Sequence, residues 1–396
     1  NPFFAIQFLK MLNQENLLTY DALAGCWQWD LAKLEGLEYT DNIVDLLIAR
    51  LRKLPDDARR LMQVAACLGN SCELDILKLV APFDGSQFER ALAQCLDAGL
   101  LLNRNSSYRF LHDRVQQASY ALSPPDQRAR EHLRLGRLLV EHLGVDIAGE
   151  RVFEVISQYN AGQSLIVDDN EKLLLAKLNL QAGSKARRNY AFTSAMQFLT
   201  AGITILDANL STVAHQLYFG LKYALAECYY CVADFAQSNE QALGLFAIAT
   251  NDLQKANIHR LLAEINTARF EYAQSIQHGL DGLALLGVAL PARPDHHYLE
   301  SLIDDIWSKL GSRKIADLID LPIMTDATIC TAIELLQTIY GSSMMIDRNL
   351  FFSSGAKIVQ LSIEHGNCDG SVVGYSQFGS FLPRLFGKYK EASEFD

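Results

Sequence analysis

The chain has 396 residues, of which 49% are hydrophobic and 20% are charged, and its formal net charge is -11. This length suits roughly two or three domains, each with its own core. The acidic balance excludes a nucleic-acid surface over the whole chain, because phosphate binding depends largely on lysine and arginine. The sequence also lacks a run of about 18 apolar residues, so it predicts no membrane span.

The eight cysteines are scattered, and most lie in apolar helical patterns where a free thiol packs as a small hydrophobic group. This usage is typical of a reducing compartment and predicts a cytoplasmic protein. The chain begins with Asn1 rather than Met, and its last residues continue a helical pattern. We therefore expect it to be an internal part of a longer protein.

The first 30 residues predict a short amphipathic helix and a small hairpin. Pro2 suits a first helical turn, and apolar residues follow it at helical spacing. The segment 27–29 alternates like a strand, with Gly25 as the preceding turn.

Residues from Thr40 onward predict four short helices and then two short strands. The helices end at Pro55, Gly69, Val80 and Gly99. Ser86 is a candidate N-cap for the fourth helix. The strands, 100–102 and 108–110, flank a segment of turn-forming residues. Helices followed by one small hairpin predict a winged-helix domain over residues 39–125.

The remaining residues, 126–396, predict only helices. Four pieces share an aromatic residue, a small residue and a helical apolar stripe, and they begin at Tyr190, Phe235, Phe270 and Gly387. Such pieces are typical of a tetratricopeptide-like α-solenoid. Weak boundaries are predicted near 291–295 and 311–326. The predicted fold class is therefore mainly α: a helical start, a winged helix with its hairpin, and a helical arm.

Catalytic signatures are missing from the sequence. It contains no phosphate-binding GxxxxGK[ST] loop, GxSxG elbow, HExxH motif or kinase catalytic loop. Cys228 and Cys231 form a CxxC match inside an apolar helical pattern, without a second ligand pair. We therefore predict no catalytic residue, no metal site and no cofactor bound by this region alone.

Several segments resemble, in order, the region that follows the ATPase core in large bacterial sensor proteins. These segments are NPFF, WQWDL, TDNIVDLLIARLRKLP, AACLGN, YRFLHDRVQQASY, LNLQAGSKA and DLPIMTD. Such proteins join a Ser/Thr-kinase-like domain, a signal-transduction (STAND) AAA-type ATPase, a tetratricopeptide-like region and often a histidine kinase. The resemblance implies that residues 1–38 end the ATPase lid.

The same resemblance implies three nucleotide contacts, which require the ATPase core. Asn1-Pro2 resembles the end of the Gly-x-Pro lid motif, which packs near the adenine. Leu111-His112-Asp113 resembles the Met-His-Asp motif, with Leu in place of Met, so His112 is expected near the β-phosphate of ADP and Asp113 beside it. The parent protein is then expected to bind ATP or ADP with magnesium, and to be an ATPase and a protein kinase. Without the resemblance, a capping role for His112 is the simpler interpretation.

The resemblance thus implies a regulatory region that couples an unknown protein or small-molecule input on the arm to the nucleotide state of an upstream ATPase core. Its output would be a sensor kinase or two-component pathway. One alternative is a plain protein-binding scaffold, and another is the regulatory part of a STAND transcription regulator. Direct DNA binding is disfavoured, because the candidate recognition helix, 87–98, carries Glu89, Arg90 and Asp97 and is net negative.

Overall fold

The computed structural model describes residues 9, 12–13, 16–30, 43–144, 151–206 and 208–395. Within these ranges the chain is mainly α-helical, with two small antiparallel sheets, which confirms the predicted fold class. The described residues form two compact units that divide between Leu175 and Ala176. The predicted boundaries at 38/39 and 125/126 stay predictions, and the first of them lies outside the described residues.

The predicted hairpin is confirmed. Strand β1 (Leu18–Asp21) pairs with β2 (Cys26–Trp29), and the turn between them contains Gly25 at φ 63°. The Asp21 carboxylate accepts hydrogen bonds from two backbone N–H groups of this turn, at 2.9 and 3.0 Å. Most of the helix predicted before the hairpin, including Pro2, lies outside the described residues.

The first unit contains a three-stranded sheet of order β3-β5-β4, formed by β3 (Ser71–Glu73), β4 (Leu101–Arg104) and β5 (Ser107–Phe110). The sequence predicted β4 and β5, whereas β3 has only three residues and no alternation long enough to reveal it. Between the hairpin and residue 162, the described α-helices are α1 (Ile43–Arg52), α2 (Asp56–Leu68), α3 (Leu74–Val80), α4 (Gly85–Asp97), α5 (Asp113–Ala121), α6 (Pro125–Leu143) and α7 (Arg151–Gly162).

The N-cap of α4 differs from the prediction. Asp84, not Ser86, caps this helix: its carboxylate accepts a hydrogen bond from the Gln87 backbone N–H at 2.8 Å. The Gln87 side chain in turn accepts one from the Asp84 N–H, which completes a capping box. Ser86 instead donates its hydroxyl to Asp84. The helix therefore starts two residues earlier than a cap at Ser86 would allow.

Helix α8 (Asp169–Arg188) spans the division between the units. The further helices are α9 (Phe192–Ile205), α10 (Ala208–Val213), α11 (His215–Cys231), α12 (Phe235–Leu245), α13 (Asp252–Ala268), α14 (Tyr272–Leu285), α15 (His296–Leu310), α16 (Ala327–Ser343), α17 (Arg348–His365), α18 (Ser371–Phe386) and α19 (Tyr389–Ala392). The α-helices stop across both predicted interruptions, although a 3₁₀ helix, Ile315–Asp320, lies in the second.

A new helix begins within the first three residues of each of the four repeated sequence pieces. Two residues before each of these helices, the backbone is left-handed, with φ between 58° and 64°; the residues are Tyr190, Ala233, Phe270 and Gly387. A left-handed residue ends one helix and redirects the chain into the next. The same turn thus recurs four times and marks the helix pairs of a solenoid.

Close packing joins the helix pair α13–α14 to α16. The backbone of Gly279 approaches the Ile339 side chain so closely that a Cβ would clash with it. Next to this contact the hydroxyls of Thr267, Ser275 and Ser342 form a triangle with sides of 2.8 to 2.9 Å. Because each hydroxyl can both donate and accept, the triangle satisfies buried polar groups from three helices.

Candidate functional site

The C-terminal end of α2 organises the first unit. A helix leaves its last four carbonyl groups without intrahelical partners. Three consecutive ones are bonded here by side chains from three elements: Tyr108 donates to the Ala65 carbonyl, Gln116 to Ala66 and Gln158 to Cys67, at 2.9, 2.8 and 2.9 Å. Tyr108 lies on β5 and Gln116 on α5. The strand and the helix on either side of His112 are therefore both anchored to α2.

His112 is the N-cap of α5. Its Nδ1 accepts a hydrogen bond from the Arg114 backbone N–H at 3.1 Å. An Nδ1 that accepts has no proton, so the neutral ring carries its proton on Nε2. The cap thus orients the imidazole and makes Nε2 a hydrogen-bond donor.

Asp113 is the first residue of α5, and its side chain is exposed. A carboxylate in the first turn is stabilised by the positive end of the helix dipole, typically by about 0.3–1 kcal/mol. Asp113 therefore supports the start of the helix that His112 caps. The structure brings these two predicted site residues together, whereas Pro2, the third, lies outside the described residues.

The second unit contains a polar cavity of about 420 Å³ between α11, α13 and α16. Its lining includes Tyr230, Arg260, Glu264, Glu334, Gln337 and Thr338. The Arg260 guanidinium donates to Glu264 at 2.6 Å and to Glu227 at 3.0 Å, and its Nε lies 3.2 Å from a Glu334 oxygen. One arginine therefore ties together carboxylates from three helices.

The charges around Arg260 are unequal. Arg187 lies 2.9 Å from Glu227, so two arginines face three carboxylates and leave one net negative charge. Burial disfavours the Arg260 cation, but its acidic neighbours outweigh burial and raise its pKa. Burial raises the pKa of Glu264, although Arg260 opposes this. Ion pairs therefore hold the cluster together in a partly buried environment.

Sequence reasoning missed this cluster. Arg260 and Glu264 lie four residues apart on one helix, a spacing that signals only an ordinary helical ion pair. Glu227 is 33 residues from Arg260 in the sequence, and no local pattern relates them.

The structure also shows the surroundings of the CxxC pair. Cys228 is buried in α11, and burial raises the pKa of its thiol to about 11. This disfavours the thiolate form that binds metals.

No family model matches the chain. A hybrid signal transduction histidine kinase G from Dictyostelium discoideum is 29% identical over 259 residues, which are 52% of this chain and 8% of that protein. The crystal structure of a STAND protein with a tetratricopeptide repeat sensor from Pyrococcus horikoshii is similar over 91% of this chain and 52% of that one, with 12% identity and a TM-score of 0.43. The match to a histidine kinase confirms the resemblance to signal-transduction sensor proteins; this chain spans a small part of that relative.

None of the described helices combines the length and the apolar composition that crossing a membrane requires.

Proposed function

We propose that this chain is the regulatory and interaction region of a multidomain signal-transduction ATPase or sensor kinase. In this proposal the sheet β3-β5-β4 and helices α2–α4 form a winged-helix domain, with the β4–β5 hairpin as its wing. The helices from α8 onward form a tetratricopeptide-like arm. The similarity to a hybrid histidine kinase and the repeated left-handed turns support these assignments.

The observation that carries the proposal is the position of His112. It follows the wing strand by two residues, its orientation is fixed by the bond to Arg114, and its Nε2 is a donor. In the parent protein Nε2–H would donate to the β-phosphate of ADP in the upstream ATPase core, and Pro2 would pack near the adenine. Asp113 would keep the start of α5 in place. Such a contact stabilises a closed state, in which the phosphate lies next to His112, relative to an open state without this contact.

The polar cavity is the proposed place for an input on the arm. Glu264 and Glu334 outnumber Arg260 in its lining, so the cavity favours a ligand with a positive charge. Such a ligand would compete with Arg260 for the carboxylates and rearrange contacts between α13 and α16. Calorimetric titration of the chain with spermidine tests this preference for a positive charge. Glu334→Gln should weaken spermidine binding. If this variant binds spermidine as tightly as the wild type, the proposed role of the cavity is wrong.

ADP retention in the full-length parent protein tests the nucleotide contact. His112→Ala removes both the cap and the imidazole, whereas His112→Ser removes the imidazole and keeps a capping hydroxyl. We expect both variants to weaken ADP binding by about tenfold to a hundredfold, which corresponds to one hydrogen bond to a charged acceptor. His142→Ala, at an exposed position on α6, is the matched control.

The serine variant separates the alternatives. If His112→Ser retains ADP like the wild type while His112→Ala is merely less stable, His112 is only a helix cap. The chain would then be better described as a protein-binding scaffold without nucleotide coupling.

A further inference from the structure

Two histidines and an aspartate meet between the paired helices α13 and α14. His259 lies on α13, while His278 and Asp281 lie three residues apart on α14 and so share one helix face. The Nδ1 atoms of the two histidines are 3.1 Å apart. The ligand atoms of all three residues lie within 4.8 Å of one another, and all three side chains are half-buried.

This geometry fits a small divalent cation. Zinc–nitrogen bonds of about 2.0–2.1 Å in a tetrahedral site place two ligand nitrogens about 3.3 Å apart. The observed nitrogen separation of 3.1 Å is close to that value. From a separation of at most 4.8 Å, the Asp281 oxygen would need to move by about 1.5 Å to reach the same ligand spacing. A rotation about the side-chain bonds of an aspartate covers such a distance.

The surroundings favour ligation as well. The Gln277 side-chain amide donates to Oδ1 of Asp281 at 2.8 Å, and ligating carboxylates are commonly oriented by such a bond. The Phe246 ring packs edge-on against His259, with ring centres 5.1 Å apart, and covers that side of the imidazole. Burial, with His278 as a second cause, lowers the pKa of His259, and burial lowers the pKa of His278. Both rings are therefore neutral near pH 7, as metal ligands must be.

We propose that His259, His278 and Asp281 bind a divalent transition-metal ion of the zinc class and thereby join α13 to α14. Three protein ligands of this kind leave a fourth position for water or a ligand of a partner. Sequence patterns could not reveal the site, because the two histidines are 19 positions apart and lie on two different helices. The site does not depend on the proposed nucleotide coupling.

The competing explanation is a hydrogen bond between the imidazoles. One Nδ1–H can donate to the other Nδ1 at the observed distance. In that case the pair only satisfies two half-buried polar groups. The two explanations differ in what a metal ion does to the chain.

Titration of the full chain with Co²⁺ distinguishes them, because tetrahedral Co²⁺ has visible absorption bands that Zn²⁺ then abolishes by displacing it. We expect one Co²⁺ per chain and displacement by an equal amount of Zn²⁺. His259→Gln, His278→Gln and Asp281→Asn should each weaken binding by about tenfold or more. His142→Gln, at an exposed histidine outside the cluster, should bind Co²⁺ like the wild type.

Circular dichroism of each variant checks that it is folded. Asp281→Asn is the decisive variant if a histidine variant unfolds, because asparagine keeps the size of the side chain and an oxygen for Gln277. Absence of saturable Co²⁺ binding by the wild type would overturn the proposal. So would binding that a folded Asp281→Asn variant retains in full.

Discussion

The two candidate sites are held in place by polar side chains in different ways. Around His112, Tyr108, Gln116 and Gln158 donate to backbone carbonyls at the end of one helix. At the polar cavity, side chains from different helices contact each other, as in the Arg260 cluster.

This difference matters for regulation. Backbone carbonyls keep their positions as long as their helix is intact, so the first unit holds His112 in one geometry. Clusters of charged side chains can exchange partners when a ligand or a proton arrives. The Arg260 cluster is therefore the better place for an input, and the surroundings of His112 are the better place for a fixed contact.

The largest expected effect tests the charge cluster. Arg260→Met leaves Glu264 and Glu334 without their arginine, and we expect it to lower the free energy of unfolding of the second unit by about 3 kcal/mol. Urea unfolding combined with hydrogen exchange of α13 and α16 measures this loss. The variant should recover part of the loss at acidic pH, where the unpaired carboxylates take up protons.

Two comparisons sharpen that result. Arg293→Met, at an exposed arginine in the loop before α15, should be nearly neutral. Tyr108→Phe removes one neutral hydrogen bond in the first unit and should cost about 1 kcal/mol. If Arg260→Met costs no more than Tyr108→Phe, the proposed contrast between the two sites is wrong.

In metal-free buffer, a change of pH should have a smaller effect on the free energy of unfolding of the second unit. The folded-state pKa values of His259 and His278 are lowered from the ordinary 6.5, so the unfolded state binds protons more readily than the folded state. The free energy of unfolding of the second unit should therefore fall as the pH falls through 6.5, and recover as it rises. Asp281 opposes the lowering at both rings, which limits the effect.

Thermal unfolding at about pH 7.5 and about pH 5.5 measures this dependence around the ordinary histidine pKa. A variant with glutamine at both positions should lose most of it, whereas His142→Gln should keep it. An unchanged pH dependence in the double variant would assign it to other groups of the chain.

Local signals made most of the first unit predictable. Pro55 and Gly69 mark helix boundaries through backbone constraints that act within one or two residues, and the structure agrees with both. Strand β3 was missed because its pairing with β5 joins residues 36 positions apart, such as Cys72 and Tyr108. The Ser86 cap was wrong because Asp84 starts the helix two residues earlier, with a charged acceptor for the Gln87 N–H, so that Ser86 already lies within the helix.

The candidate sites also differ in whether local sequence signals could predict them. His112 could be proposed from the sequence because its motif and its capping partner Arg114 lie within four consecutive residues, 111–114. Arg260 and Glu334 meet only because helices distant in the sequence pack together, and no single-helix pattern contains that information. The left-handed turns of the arm were also hidden, because Ala233 is not a residue type that signals positive φ.

Those turns provide the smallest and most controlled prediction. Gly69 and Gly99 have positive φ, which glycine adopts readily, whereas Ala233 of the arm has φ 61° with a Cβ. Ala233→Gly removes a Cβ that disfavours this conformation but adds freedom to the unfolded chain, so we expect a net stabilisation of about 0.5–1 kcal/mol. Gly387→Ala is the matched reverse change, since Gly387 has φ 64° and a Cβ there would meet no other atom within 4 Å.

Gly387→Ala should therefore destabilise the arm by about 1 kcal/mol through backbone strain alone. Thermal unfolding of the two variants beside the wild type gives the sign of each change. Opposite signs would confirm that the arm repeats one turn, at which the left-handed backbone rather than the side chain decides stability. A loss of stability in Ala233→Gly would instead mean that the alanine methyl group packs well enough to outweigh its strain, and the four turns would then not be equivalent.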